Sequence, residues 1–140
     1  MSLSIRNQLP GTVASVTEGE AMATVKVDLS DGQHITAAIT LDAVKDLGLD
    51  TGSAVRALVK STEVSLSTAP VQRISIRNQI PGTISDIAAG GAMATVKISI
   101  AAGGELTSAI TKESVTDLGL SVGSSVVALI KSTEVSLETP

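Results

Sequence analysis

The sequence predicts an all-β protein made of two tandem copies of one small module, and two observations support this. The phrase SIRNQLPG begins at Ser4, and SIRNQIPG begins again at Ser75. Aligning these serines keeps the chain in register up to Leu66 and Leu137, with more than half of the aligned positions identical. Copies of this length are supersecondary units or small domains. Within each copy, apolar residues alternate with polar ones as in half-buried strands.

The repeat also predicts how the chain is divided. We expect a first domain over residues 1–67, a linker over 68–74 and a second domain over 75–140. The segment STAPVQR joins the two copies, and its proline and polar neighbours are typical of a short extended linker. Such a linker is too short to let the two modules move far apart.

The first repeat begins with two predicted strands, GTVASV from Gly11 and ATVKVDL from Ala23. Pro10 ahead of Gly11 predicts a turn before the first of them. The segment TEGEAM between the strands is a second predicted turn. SDG at 30–32 is a hairpin signal, and a third strand follows at about 34–39.

One short helix follows the third strand, in the segment TLDAVKDLGL at 40–49. Thr40 can cap it, Asp42 lies in the first turn where the helix dipole favours an anion, and Gly48 can end it in a left-handed conformation. AVRALVK at 54–60 is predicted to be a strand, and EVSL at 63–66 a last short one.

The second repeat shows the same order of elements: GTISDI, ATVKISI, ELTSAI, the helix TKESVTDLGL, VVALIK and EVSL. About five short strands and one helix per repeat favour two tandem OB-like Greek-key barrels. A β-sandwich is the alternative architecture.

The chain contains no Phe, Trp or Tyr, so each module of about 70 residues must build its core from aliphatic side chains alone. A single core of that size is marginal. The composition therefore predicts additional burial against a partner surface, in a homo-oligomer that exchanges strands or termini between its subunits.

Several functional classes are excluded or disfavoured by the composition. There is no cysteine, and the single histidine, His34, is replaced by Glu105 in the second repeat, so a histidine triad or a repeated site for a metal cation is not expected. Most carboxylates differ between the repeats, and the glycines do not form a phosphate-binding loop. We expect no enzyme, no cofactor and no nucleic-acid partner, since base stacking needs aromatic rings. No membrane span is expected either, and the simplest interpretation is a soluble cytoplasmic protein.

Hydrogen-bond donors recur in both repeats without matching acceptors. Ser4 and Arg6 lie two apart, so both side chains leave an extended segment on one face, with Asn7 behind them. Fully ionised tetrahedral anions offer only acceptors, which is why such a set indicates an oxyanion site. The recurring donors in the first repeat are Ser4, Arg6, Asn7, Thr40, Lys60, Ser61 and Thr62, and in the second Ser75, Arg77, Asn78, Thr111, Lys131, Ser132 and Thr133.

These motifs resemble the molbindins, whose Mop domain carries S-x-R-N-Q, then A-I-T before the helix, then K-S or K-A. Here they read SIRNQ, AAIT and VKST in the first repeat, and SIRNQ, SAIT and IKST in the second. The chain is similar along nearly its whole length to the stand-alone cytoplasmic form with two Mop domains. The resemblance implies an OB-like fold, a trimer, and molybdate or tungstate bound between subunits.

The resemblance also implies which residues bind the anion. In the first domain they are Ser4 and Arg6 of one subunit with Thr40, Lys60 and Ser61 of a neighbour; the second-domain set is Ser75, Arg77, Thr111, Lys131 and Ser132. A further family hydroxyl is matched by Ser114, but the first repeat has Ala43 there, which predicts a weaker first-domain site.

The expected function is storage and buffering of molybdate or tungstate. The alternative is a molybdate-responsive regulatory module that acts through a separate partner protein.

Overall fold

The computed structural model describes residues 3–140. The first repeat contains β1 (Asn7–Glu18), β2 (Met22–Asp28), β3 (His34–Thr40), α1 (Leu41–Leu47), β4 (Ala54–Val59), a first 3₁₀ turn (Ser61–Glu63) and β5 (Ser65–Ser67). The second repeat contains β6 (Asn78–Ala89), β7 (Met93–Ile100), β8 (Glu105–Thr111), α2 (Lys112–Asp117), β9 (Ser125–Ile130), a second 3₁₀ turn (Ser132–Glu134) and β10 (Ser136–Glu138).

The predicted fold class is confirmed: the described strands form two five-stranded antiparallel sheets, and one short helix follows the third strand of each repeat. The strand orders are β10-β4-β1-β2-β3 and β5-β9-β6-β7-β8. In each sheet the two edge strands approach one another, β10 against β3 and β5 against β8. Because no hydrogen-bonded pairing joins these described edges, each sheet is a partly open barrel.

The terminal strand of each repeat belongs to the sheet of the other repeat. β5 pairs with β9, so that Leu66 lies opposite Ala128, and β10 pairs with β4, so that Leu137 lies opposite Ala57. Within one chain, the terminal strands are therefore exchanged between the two repeats, while exchange between subunits stays a prediction. The exchange within the chain links the repeats reciprocally, since each completes the other's sheet.

The local signals for the helix and the hairpin are confirmed. Thr40 caps α1 by accepting a hydrogen bond from the Ala43 N–H at 3.1 Å, and Gly48 ends the helix at φ 62°. Asp31 and Gly32 both have positive φ, 58° and 73°, as a type I′ hairpin turn between β2 and β3 requires. These features depend on neighbouring residues only, which is why the sequence predicts them.

The predicted Pro-Gly turn ahead of the first strand is wrong. Pro10 and Gly11 lie inside β1, which starts at Asn7 and pairs first with β4 and then with β2. Gly11 is needed because β1 and β2 approach closely there: an added Cβ would lie 2.6 Å from Val27 Cγ1 and 2.7 Å from the Asp28 carbonyl oxygen. The strand continues through this position, and its partner changes from β4 to β2 at Thr12.

Buried side chains of both repeats form one continuous cluster. It includes Val64 and Val135, which follow the two 3₁₀ turns and are 1% and 2% exposed. Burying a valine stabilises a fold by about 1.5–3 kcal/mol relative to leaving it exposed. Each repeat, lacking aromatic side chains, thus extends its aliphatic core with residues of the other.

We predict that Gly82→Ala destabilises the protein by about 1–3 kcal/mol, the usual cost of overpacking. The new methyl group would lie 2.5 Å from Ile98 Cγ2 and 2.6 Å from the Ser99 carbonyl oxygen. Urea unfolding measures the change. Gly91→Ala is the control, because nothing lies within 4 Å of its added Cβ; equal stabilities of the two variants would contradict the close approach.

Candidate functional site

A pair of cationic residues flanks one end of the central strand pair in each sheet. Asn7 lies opposite Val59 at the end of the β1–β4 ladder, so Arg6 and Lys60 are the next residue on each strand. In the second repeat Asn78 lies opposite Ile130, and the flanking residues are Arg77 and Lys131. All four cationic side chains belong to exposed residues. Antiparallel pairing therefore brings together two predicted ligands that are more than 50 positions apart in the sequence.

These cationic groups are free of carboxylate partners in the part of the chain that the structure describes. The only ion pair within residues 3–140 joins Arg56 to Glu138 at 2.6 Å. The hydroxyls of the predicted serine ligands also have no hydrogen-bond partner among these residues; they are Ser4, Ser61, Ser75 and Ser132. Unpaired donors of this kind, exposed except for the half-buried Ser61 and Ser132, are available to an external acceptor.

The strand exchange places the lysine and serine of each repeat beside the other repeat. The first 3₁₀ turn, which begins at Ser61, packs against β8, and the second packs against β3. A cleft of about 170 Å³ is lined by Ile5 and Lys60 together with Thr133 and Glu134 of the second repeat. Lys60 therefore lies beside the second repeat.

Asn7 and Asn78 have a different role from the one predicted. Asn7 Nδ2 donates to the Thr107 carbonyl at 2.8 Å, and its Oδ1 accepts from the Thr107 N–H at 2.7 Å. Asn78 makes the same two bonds with Thr36, both at 2.8 Å. Each asparagine is almost fully buried, with exposures of 2% and 4%. This geometry argues against direct anion binding, because the amides satisfy the edge strand of the opposite repeat.

The threonines lie at the helix caps, as predicted. Thr40 Oγ1 and Thr111 Oγ1 accept the capping N–H groups of Ala43 and Ser114, each at 3.1 Å. The Ser114 hydroxyl also lies 2.7 Å from Thr111 Oγ1. Ala43 lacks that hydroxyl, so the two helix ends carry different numbers of donors.

One chain does not bring the threonine and the arginine together. Arg77 shares a cleft of about 330 Å³ with Gln33, His34 and Thr36, at the start of β3. Thr111, the threonine predicted to share a site with Arg77, ends β8 and lies across β7 from the last residues of β6, whereas Arg77 precedes the first residue of β6. The predicted ligand set is therefore divided into two groups within a single chain.

Sequence reasoning missed a role for the glutamine of the SIRNQ motif. Gln79 binds the segment between the repeats, accepting from the Val71 N–H at 3.1 Å and donating to the Val71 carbonyl at 2.7 Å. Gln8 donates to the Ile5 carbonyl at 3.0 Å. The identical motif in both repeats was the only available signal, and it did not separate anchoring residues from ligands.

A cleft of about 640 Å³ lies elsewhere, between residues 68–70 and strands β6, β7 and β9. Prolines and aliphatic side chains line it together with a few hydroxyls, including Pro70, Pro81, Ile100 and Val126. No charged residue lines this cleft, so it lacks the cations that an oxyanion needs.

Residues 3–140 contain no cluster of three or more His, Asp or Glu side chains placed to hold a metal ion. In the same range, no helix combines the length and the apolar character required to cross a membrane.

The comparison with protein families identifies the class. The TOBE domain family matches residues 3–66 and again 74–137, and the chain belongs to this family as a tandem pair of such domains. The resemblance to the molbindins inferred from the sequence motifs is confirmed by these matches.

Individual relatives extend the comparison. The structure resembles that of the cytoplasmic molybdate-binding protein ModG with molybdate bound, with a TM-score of 0.96 and 39% identity over 100% of both chains. The ModG crystal structures are described as suggesting a cooperative binding mechanism. The chain is 35% identical to the molybdenum transport protein ModE of Azotobacter vinelandii and 36% identical to the molybdenum-pterin-binding protein MopB of Rhodobacter capsulatus, over 98% of its own length. It spans about half of these two relatives, 51% of each.

We predict that Asn78→Ala destabilises the protein by about 1–3 kcal/mol, because the Thr36 N–H and carbonyl lose their partners. Asn78→Asp should also destabilise, since its carboxylate accepts from the N–H but faces the carbonyl without a donor. Urea unfolding of both variants tests this. Ser75→Ala, in the same segment but without a described hydrogen bond, should stay within about 0.5 kcal/mol of wild type; an equal loss there would refute the specific role of Asn78.

Proposed function

We propose that this protein binds molybdate, or the similar dianion tungstate, between the subunits of a homo-oligomer, and that the oligomer is a trimer. Its role is storage and buffering of the anion in the cytoplasm, without a reaction on it. The residues available suit binding: they are hydrogen-bond donors and cations, and the carboxylates are not arranged in a recurring acid–base pair.

The observation that carries the proposal is the set of four unpaired cationic residues at the strand ends, in a chain that matches molybdate-bound ModG along its whole length. A protein with a formal charge of −4 repels a dianion at long range. Local cations without carboxylate partners overcome that repulsion at short distance, where screening by salt is weak.

The division of the ligand set supports a site made by two chains. Arg77 and Thr111 lie beside opposite ends of the 12-residue strand β6, so an anion that contacts both kinds of group needs a neighbouring subunit. The proposed ligands are Ser4, Arg6, Thr40, Lys60 and Ser61 for the first-domain site, and Ser75, Arg77, Thr111, Ser114, Lys131 and Ser132 for the second.

We assign Asn7 and Asn78 to holding the arginine segments in place and not to the anion, because their amides are buried and bonded. Ala43 leaves the first-domain site with one hydroxyl fewer than the second, where Ser114 is present. The additional Ser114 hydroxyl therefore favours tighter anion binding at the second-domain site.

Binding between subunits also stabilises the oligomer. An anion present at 100 times its dissociation constant contributes about 2.7 kcal/mol per site by mass action. Several such sites in one assembly make a store for a scarce anion, and a cooperative mechanism like that suggested for ModG also requires more than one communicating site.

Native mass spectrometry with and without molybdate tests the proposal directly, since it measures subunit number and bound anions together. We expect a trimer that gains several molybdates and no sulfate. A monomer that remains free of anion at saturating molybdate would refute the proposed function.

We predict that Arg77→Ala lowers the molybdate stoichiometry by removing the second-domain sites while the fold is retained, because Arg77 is exposed and has no described partner. Titration calorimetry and circular dichroism measure the two properties. Arg73→Ala, which removes an exposed arginine of the predicted linker, is the matched control. Unchanged stoichiometry in Arg77→Ala would remove this residue from the site.

A molybdate-responsive regulatory role is the second candidate. The chain is 33% identical, over 99% of its length, to about half of the transcriptional regulator ModE of Yersinia pestis. Such a role requires a separate partner protein. A pull-down with this protein as bait, in which a defined partner is lost when molybdate is removed, would favour regulation over storage.

A further inference from the structure

We call the contact of the first 3₁₀ turn with β8 the first crossing, and the contact of the second 3₁₀ turn with β3 the second crossing. The two crossings differ at one buried hydroxyl. Ser108 in β8 of the second repeat is 0% exposed, and its Oγ donates to the Val64 carbonyl of the first repeat at 2.6 Å. It is a side-chain hydrogen bond from the interior of one repeat to the backbone of the other. Such a bond in a buried setting is worth more than its equivalent at the surface.

Val64 is the residue that ends the first 3₁₀ turn. Its N–H donates to the Ser61 carbonyl at 3.4 Å, while the Glu63 N–H donates to the Lys60 carbonyl at 2.9 Å. Ser108 therefore holds one end of a short chain of hydrogen bonds that reaches the backbone of Lys60 and Ser61. Both of these residues are proposed ligands of the first-domain site.

The second crossing lacks this bond. The second 3₁₀ turn has the same internal bonds, from Glu134 N–H to Lys131 at 3.0 Å and from Val135 N–H to Ser132 at 3.4 Å. The residue that corresponds to Ser108 is Ala37 in β3, also 0% exposed, which has no hydroxyl to donate. The turn that carries Lys131 and Ser132 thus packs against β3 without a side-chain anchor at this position.

An ion pair links the two repeats near the second crossing, but it does not contact the second 3₁₀ turn. Arg56 and Glu138 form an ion pair between β4 and β10, with side chains 45% and 34% exposed. A pair so exposed contributes little and is screened by salt. It also lies beyond the turn, three residues after Val135, so it does not fix the backbone of Lys131 or Ser132.

We propose that Ser108 is a positioning residue for the first-domain anion site, and that it preorganises the Lys60–Ser61 turn more firmly than the Lys131–Ser132 turn. The proposal rests on the proposed function of these turns in oxyanion binding. It opposes the effect of Ala43: the first-domain site loses a helix-cap hydroxyl but gains a better-held lysine and serine. Preorganised donors bind more tightly because less freedom is lost on binding.

Amide hydrogen exchange of the whole protein, without anion, tests the positioning itself. We expect the N–H groups of Glu63 and Val64 to exchange more slowly than those of Glu134 and Val135. Ser108→Ala should reduce protection at Glu63 and Val64 by about fivefold, the equivalent of one net hydrogen bond, and leave the second turn unchanged. Equal exchange at the two turns of the wild type would overturn the proposal.

Molybdate affinity, measured by calorimetry, tests the consequence for binding. Lys131→Ala removes a ligand of the second-domain site, and in that background Ser108→Ala should weaken the remaining site about fivefold. In the Lys60→Ala background, Ser108→Ala should have no effect on the remaining site. A general structural role would weaken binding in both backgrounds and would overturn the specific assignment.

The double variant Ala37→Ser, Ser108→Ala moves the hydroxyl from the first crossing to the second, while positions 37 and 108 together still hold one serine and one alanine. We expect it to strengthen the Lys131 site and weaken the Lys60 site. If Ala37→Ser does not fold, Ser108→Ala alone still decides the matter. Failure of the two proposals is distinguishable: no molybdate binding by the unmodified protein refutes the function, whereas unchanged exchange and affinity in Ser108→Ala refute only the role of Ser108.

Discussion

The terminal strand of each repeat pairs with the fourth strand of the other, β5 with β9 and β10 with β4, and both described sheets depend on this exchange for their fifth strand. A core built without aromatic side chains buries little area per residue, so a single copy of the module has few ways to become stable alone. The exchange merges two marginal cores into one cluster, and the buried Val64 and Val135 are the residues at which each chain segment enters the core of the other repeat. Duplication of the module within one chain supplies the partner that this architecture needs.

The proposed anion-binding lysines and serines lie at the same two contacts between the repeats. The lysine and serine that precede each buried valine lie on a 3₁₀ turn whose far end is fixed in the opposite repeat. Asn7 and Asn78 fix the arginine segments in a matching way, each against the third strand of the other repeat. Closure of the fold and placement of the donors therefore use the same few residues, and a loss of packing at a crossing would disturb the site beside it.

Electrostatics explains how an acidic protein presents an anion site. Arg56 is paired with Glu138, while the four cationic residues at the strand ends have no carboxylate partner among residues 3–140. A cation that is already paired offers less to an incoming anion, since part of its charge and hydrogen-bonding capacity is used. Because Glu138 pairs with Arg56 and not with Arg6, Lys60, Arg77 or Lys131, these four cations stay available to an anion in spite of the negative net charge.

The sequence by itself determined the repeat, the strand alternation, the hairpin turn at Ser30–Gly32, the caps at Thr40 and Gly48, and the set of recurring donors. These features depend on residues close together in the chain, so local conformational preferences are sufficient to predict them. Only the tertiary structure decided that Pro10–Gly11 lies within a continuous strand, that β5 and β10 each pair with the other repeat, and that Asn7 and Asn78 bind backbone instead of remaining free. Each of these depends on contacts between residues tens of positions apart. Two repeats with more than half of their positions identical offer the same local pattern whether a strand pairs with its own repeat or with the other.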